Sequence, residues 1–212
     1  MKIIGFIGSY RKGGNTDTAV RTVLEGAMNL GADVEAVYLK DYEIADCVGC
    51  EACKTTFECV IRDDMQKIYA KIQEADGIII GSPTYFYNVT GIIKNMIDRL
   101  YCYEVFDEDD RSVWMGIHEA TGIKYATVVA VCEQKDPEDM GYTTVTMTKS
   151  LQALGYRVVD ELKIYNVYNK TDLLLDTDQL SELEEAGKKL VKTIRLKEKI
   201  QNIVNIKNEQ IN

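Results

Sequence analysis

Short apolar runs alternate with amphipathic stretches along most of the chain, and this constrains the fold more than any other feature. Lys2–Ile7 is an apolar run closed by Gly8, as expected of a strand buried on both faces. Residues 16–30 place Ala19, Val20, Val23, Leu24, Ala27 and Met28 on one helical face, and Gly31 stops the helix. Residues 34–39 form a second expected strand. Asp63 or Asp64 then caps a helix through Ala75, with Met65, Ile68, Tyr69 and Ile72 inward. Residues 77–81 are a third strand, and 89–103 a helix facing inward through Ile92, Ile93, Met96, Ile97 and Leu100. The acidic segment 104–123 reads as irregular. Residues 125–131 form a fourth strand, 142–154 a helix, and 157–164 a fifth strand whose polar intrusions suit a sheet edge. A last helix starts at about Asp178 or at Ser181, where Ser181 and Glu184 have the spacing of a capping box. It is expected to fray beyond about Asn205.

Such alternation implies an α/β architecture in which helices cover both faces of a parallel sheet. It is expected to form a single domain over residues 1–212, with a cysteine-rich insertion at 43–63. Ligands in such sheets bind beyond the carboxyl ends of the strands, so the loops after strands one, three and four matter most. The net charge of −9 argues against a nucleic-acid partner. No apolar stretch approaches the ~20 residues needed to cross a bilayer. The first apolar run is too short for a secretion signal, so a cytoplasmic protein is expected.

The loop after strand one, from Gly8 to Thr18, joins a buried strand to a helix N-terminus, where free amides and the helix dipole favour an anion. Ser9, Asn15, Thr16 and Thr18 add donors, Arg11 and Lys12 add charge, and Gly13 and Gly14 let the backbone curl. The lysine of a P-loop and the glycine spacing of a dinucleotide fingerprint are both missing. The loop after strand three carries Pro83, Thr84, Tyr85, Phe86, Tyr87 and Asn88. Three consecutive aromatics there suit a flat ligand with a polar rim. The loop after strand four, from Cys132 to Gly141, occupies the place of a third wall, but its composition fixes no role. His118, the only histidine, is expected to be structural or on the surface.

Four of the six cysteines, Cys47, Cys50, Cys53 and Cys59, are spaced C-x2-C-x2-C-x5-C. Thiolates are the soft ligands of iron–sulfur clusters and zinc, and short spacings let one loop wrap a cluster. Reduced thiols, a redox disulfide and zinc remain alternatives.

Taken together, these segments resemble the NADPH-dependent FMN reductase superfamily, and within it the iron–sulfur flavoproteins. The residues that carry the resemblance are Gly8 to Thr16, the four cysteines, Ser82 to Asn88, Gly91 with Lys94, and Ile97-Asp98-Arg99. It implies a flavodoxin-like three-layer doubly wound sandwich with a five-stranded parallel sheet in the order 2-1-3-4-5. It further implies that Ser9, Arg11, Gly14, Asn15 and Thr16 hold the FMN phosphate, and that Pro83, Thr84, Tyr85, Phe86 and Asn88 line the flavin. The four cysteines would carry a [4Fe–4S] cluster. NAD(P)H as electron donor, a homodimer or homotetramer, and a redox partner protein such as ferredoxin belong to the same picture. The implied activity is that of an FMN-dependent oxidoreductase with no assigned catalytic acid or base. A cluster-free NAD(P)H-dependent FMN or quinone reductase, a non-enzymatic electron carrier docked through the acidic run at 107–110, and a cysteine redox sensor are the competing readings.

Overall fold

The computed structural model describes the backbone of residues 1–211 and the side chains of residues 1–206. Five parallel strands, β1 (Lys2–Ile7), β2 (Asp33–Tyr38), β3 (Gly77–Pro83), β6 (Lys124–Val131) and β7 (Tyr156–Ile164), form one sheet in the order β2-β1-β3-β6-β7. This is the expected order, and β7 is an edge strand. The two extra strands, β4 (Glu104–Phe106) and β5 (Trp114–Gly116), pair antiparallel as a hairpin, and a short helix α4 (Ile117–Thr121) follows. Segment 104–123 is therefore not irregular. Its acidic run makes the turn: Asp107 accepts the amides of Asp109 and Asp110, and Asp110 accepts that of Ser112.

Alternation along each strand sorts the core into two halves. Ile3 and Ile7 of β1 pack beneath α1 (Asn15–Asn29) and α6 (Thr177–Ile211). Ile4 and Phe6 face α2 (Met65–Glu74), α3 (Gly91–Arg99) and α5 (Thr143–Ala153). On the first face helix and sheet nearly touch. A Cβ on Gly5 would lie 2.7 Å from Val20, and one on Gly81 2.2 Å from the same side chain. Helices α1 and α6 cross as closely. A Cβ on Gly26 would lie 2.0 Å from the Glu184 carbonyl oxygen, and one on Gly187 1.9 Å from that of Val23.

Helix boundaries depart from expectation in three places. Helix α3 ends at Arg99 and tightens into a 3-10 turn, Leu100–Tyr103. Helix α6 starts at Thr177, where Asp176 accepts the Gln179 amide, so Ser181 is helical and forms no capping box. The same helix extends past Asn205 to Ile211, with no glycine or proline in that stretch to interrupt it. Among the described residues no helix is long and apolar enough to cross a membrane.

His118 is buried with its ring edge against Tyr156, at 4.8 Å between centroids. Burial, and then the nearby Lys124, depress its pKa to about 4. It lies in α4, buried away from the surface.

Candidate functional site

A cleft lies beyond the carboxyl ends of β1, β3 and β6. Ser9, Arg11, Gly14, Asn15, Thr16, Pro83, Thr84 and Tyr85 line it, together with Val131, Glu133, Val167, Tyr168 and Lys170. Chain order brings the first two groups there. The Gly8 amide donates to the Gly81 carbonyl at 2.8 Å, and Thr90 Oγ1 donates to the Gly8 carbonyl at 2.8 Å, stitching the two loops side by side.

The first loop is shaped for an anion. Gly13 has φ +70°, a conformation that favours glycine. Gly14 is the N-cap of α1, and no side chain caps the helix, so its first-turn amides are left for a ligand at the positive end of the dipole. Ser9 Oγ accepts the Arg11 amide, which leaves its hydroxyl hydrogen for the cleft. Asp17 is buried and accepts the Gly13 amide at 2.6 Å, Arg21 Nε at 2.8 Å and the Tyr38 hydroxyl at 3.0 Å. It therefore sets the loop's shape from beneath. Lys12 turns away from the cleft and lies over the Tyr38 ring, 4.8 Å from its centroid.

The Asn15 side chain is committed to the protein. Its Nδ2 donates to the carbonyls of Val167 and Asn169, and its Oδ1 accepts the Leu173 amide at 3.2 Å. Only its backbone amide remains for an anion. In return it fixes the loop after β7, which the sequence reading did not count among the ligand walls.

The aromatic loop is a tight turn in which Tyr85 and Asn88 exchange backbone hydrogen bonds. Its central residues Phe86 (φ 44°) and Tyr87 (φ 63°) are both left-handed, which suits glycine or asparagine and strains an aromatic residue. Tyr85 reaches the cleft. Phe86 is 99% exposed, and neither it nor Asn88 lines the cleft. Asn88 instead accepts the Val89 amide and the Thr146 hydroxyl, both at 2.8 Å.

The four clustered cysteines are all free thiols, Cys47 and Cys50 exposed, Cys53 and Cys59 half-buried. They line one small hollow with Val48, Ile61, Tyr101 and Arg99. Burial, and then Cys59, Cys50 and Cys47, push the Cys53 thiol above its ordinary range. Among the described residues no group of three or more His, Cys, Asp or Glu side chains is gathered as ligands of one metal ion. Cys102, buried beneath the loop, lines the same hollow, so five thiols, all soft donors, face it.

Arg99 closes this segment from within. Its fully buried guanidinium pairs with Asp63 at 2.6 and 3.2 Å and donates to the carbonyls of Ala45 and Ile61. One side chain thereby ties both ends of the cysteine loop to α3. Burial works against the Asp63 charge, but Arg99 and the amides of Ala45 and Met65 hold its carboxyl below the usual range.

The profile of the NADPH-dependent FMN reductase family matches residues 1–130. An iron-sulfur flavoprotein of Archaeoglobus fulgidus is 48% identical over 99 residues, which cover 47% of this chain and 48% of the relative. The chain thus spans about half the length of the curated relatives it matches. Among solved structures, a flavone reductase superposes with a TM-score of 0.70 at 20% identity, over 92% of this chain and 63% of that one. A flavodoxin from the domain Archaea superposes at 0.54 and 15% identity, over 92% and 99%. At these identities the two structures speak to the fold alone, which is flavodoxin-like. The chain belongs to the NADPH-dependent FMN reductase family.

Proposed function

We infer that the cleft binds FMN and that the protein is a flavin-dependent oxidoreductase with a [4Fe–4S] cluster on its cysteine loop. The observation that carries this reading is the cleft itself. It lies where parallel sheets bind ligands, and it joins an uncapped glycine-bearing helix N-terminus to the β3 loop. In this reading the first-turn amides of α1, the Ser9 hydroxyl and Arg11 hold the phosphate, while Pro83, Thr84 and Tyr85 face the isoalloxazine. When bound, FMN takes and returns electrons in pairs as hydride or singly, and a cluster carries one at a time.

Cys47, Cys50, Cys53 and Cys59 would hold the cluster, and Arg99 keeps the loop folded around it. The name of the Archaeoglobus fulgidus relative supports this assignment. NAD(P)H as donor, a cytoplasmic location, a homodimer or homotetramer and a ferredoxin-like partner are part of the same proposal. A cluster-free reductase is the second reading, favoured by the exposure of Cys47 and Cys50.

The test is the visible spectrum of protein purified without oxygen, with iron and sulfide assays on the same sample. Flavin bands over a broad iron–sulfur absorption, with about four irons per chain, support the first reading. Flavin without iron leaves the second. Absence of flavin after addition of FMN overturns both.

A further inference from the structure

The cleft has a wall outside the family's matched region. The matched residues end at 130, whereas Val167, Tyr168 and Lys170 come from the loop between β7 and α6. Three hydrogen bonds from the Asn15 side chain hold this loop against the start of α1. They bring Lys170 over the phosphate cradle: a Cβ built on Gly13 would lie 3.5 Å from Lys170 Cε and 3.6 Å from its Nζ.

The local charge balance shows why a cation matters there. Asp17, buried beneath Gly13, brings a carboxylate close to the anion site, and Arg21 pairs with it. Lys12, the nearer lysine in sequence, is stacked on Tyr38 instead. Arg11 and Lys170 are then the cations lining the cleft, Glu133 is the acidic residue lining it, and neither cation is engaged in an ion pair among the described residues. A phosphomonoester carries nearly two negative charges at neutral pH. Two cations from two separate loops would offset most of that charge, and charge-assisted hydrogen bonds to them are stronger than neutral ones.

We propose that the loop after β7 is the second half of the phosphate site, and that Lys170 closes over the phosphate opposite Arg11. The site thereby selects phosphorylated flavin over riboflavin. This rests on the FMN reading above. It adds a residue that the first loop does not supply, and it makes Asn15 a positioning residue whose side chain acts through the loop.

The experiment is a titration of the flavin-free protein with FMN and with riboflavin, followed by quenching of flavin fluorescence at low and high salt. Lys170→Ala is expected to weaken FMN roughly tenfold, the loss of one charge-assisted contact. It should leave riboflavin affinity unchanged and flatten the salt dependence of FMN binding. Lys170→Arg should restore most of the FMN affinity. Unchanged FMN affinity in Lys170→Ala overturns the proposal, as does an equal loss for FMN and riboflavin, which would make the loop a matter of shape. Wild-type protein that binds neither flavin overturns the FMN reading itself, so the two failures are distinguishable.

Discussion

Gly187→Ala probes the packing that carries the cradle. The added Cβ would stand 1.9 Å from the Val23 carbonyl oxygen and 2.9 Å from the Ala27 amide nitrogen. Both are helix backbone, so no flexible side chain can yield. Restoring van der Waals contact requires the helices to part locally by about 1.5 Å, and gaps of 0.5–1 Å already forfeit a quarter to a half of the dispersion energy. The contacts at risk are among Val23, Leu24 and Ala27 on α1 and Leu183, Ala186 and Leu190 on α6, all buried. Against rigid backbone the overpacking falls at or just above the upper end of the usual 1–3 kcal/mol, about 3–4 kcal/mol, which leaves roughly 2–3 kcal/mol after deducting the ~1 kcal/mol by which alanine outdoes glycine in a helix. For a chain of this size, that lowers Tm by about 4–12 °C. Thermal unfolding followed by circular dichroism reads it, with Gly91→Ala as control, since a Cβ there meets nothing within 4 Å. A Gly187→Ala protein that melts within roughly 2 °C of wild type would refute the argument that the α1–α6 crossing needs bare backbone. FMN affinity should fall with stability, because the strained helix presents the cradle at its N-terminus.

Other outcomes follow from single contacts. His118 has a pKa of about 4 when folded, below its unfolded value, so the unfolded chain binds the extra proton first. Its contribution is complete above about pH 6.5 and is lost as pH falls toward 4, by roughly 2–3 kcal/mol; urea unfolding across that range should show a slope that His118→Phe reduces. Phe86→Gly removes left-handed strain at a side chain that packs on nothing, and should raise stability by up to about 1 kcal/mol net of glycine's entropy. If FMN binding drops at the same time, Phe86 contacts the flavin despite standing outside the cleft. Arg99→Met leaves Asp63 without its partner and frees both ends of the cysteine loop, for a loss of about 3–5 kcal/mol in denaturant titration. Cys59→Ser should lower the iron content while FMN binding stays as in wild type, read by iron assay and flavin fluorescence.

Much of the fold is written locally. Apolar runs such as Lys2–Ile7, and the helical stripe through Val20, Val23 and Ala27, report burial through neighbours a few residues away, and the alternation follows from them. The hairpin at 104–116 escaped because the strands it pairs are only three residues each, too short to show a period. The Ser181 capping box was a real spacing at the wrong register: Asp176, five residues earlier, holds the amide that starts α6.

The site divides along the same line. Glycines and donors after the first strand, and Pro83, Thr84 and Tyr85 after the third, were legible as wall residues and line the cleft, because the turn from strand to helix is local; Phe86 and Asn88 were legible in the same way and do not line it. The four-cysteine spacing was legible for the same reason, and the four side chains do line one hollow. Only the tertiary structure could join Gly13 to Lys170 and Asn15 to Leu173, or place Arg99 between Ala45 and Asp63. Those partners lie from 36 to more than 150 positions apart. What brings them together is the strand order β2-β1-β3-β6-β7 and the packing of α1 against α6. Sequence spacing carries local periodicity and chemistry; which distant charges share a cleft is set by how the sheet is wound.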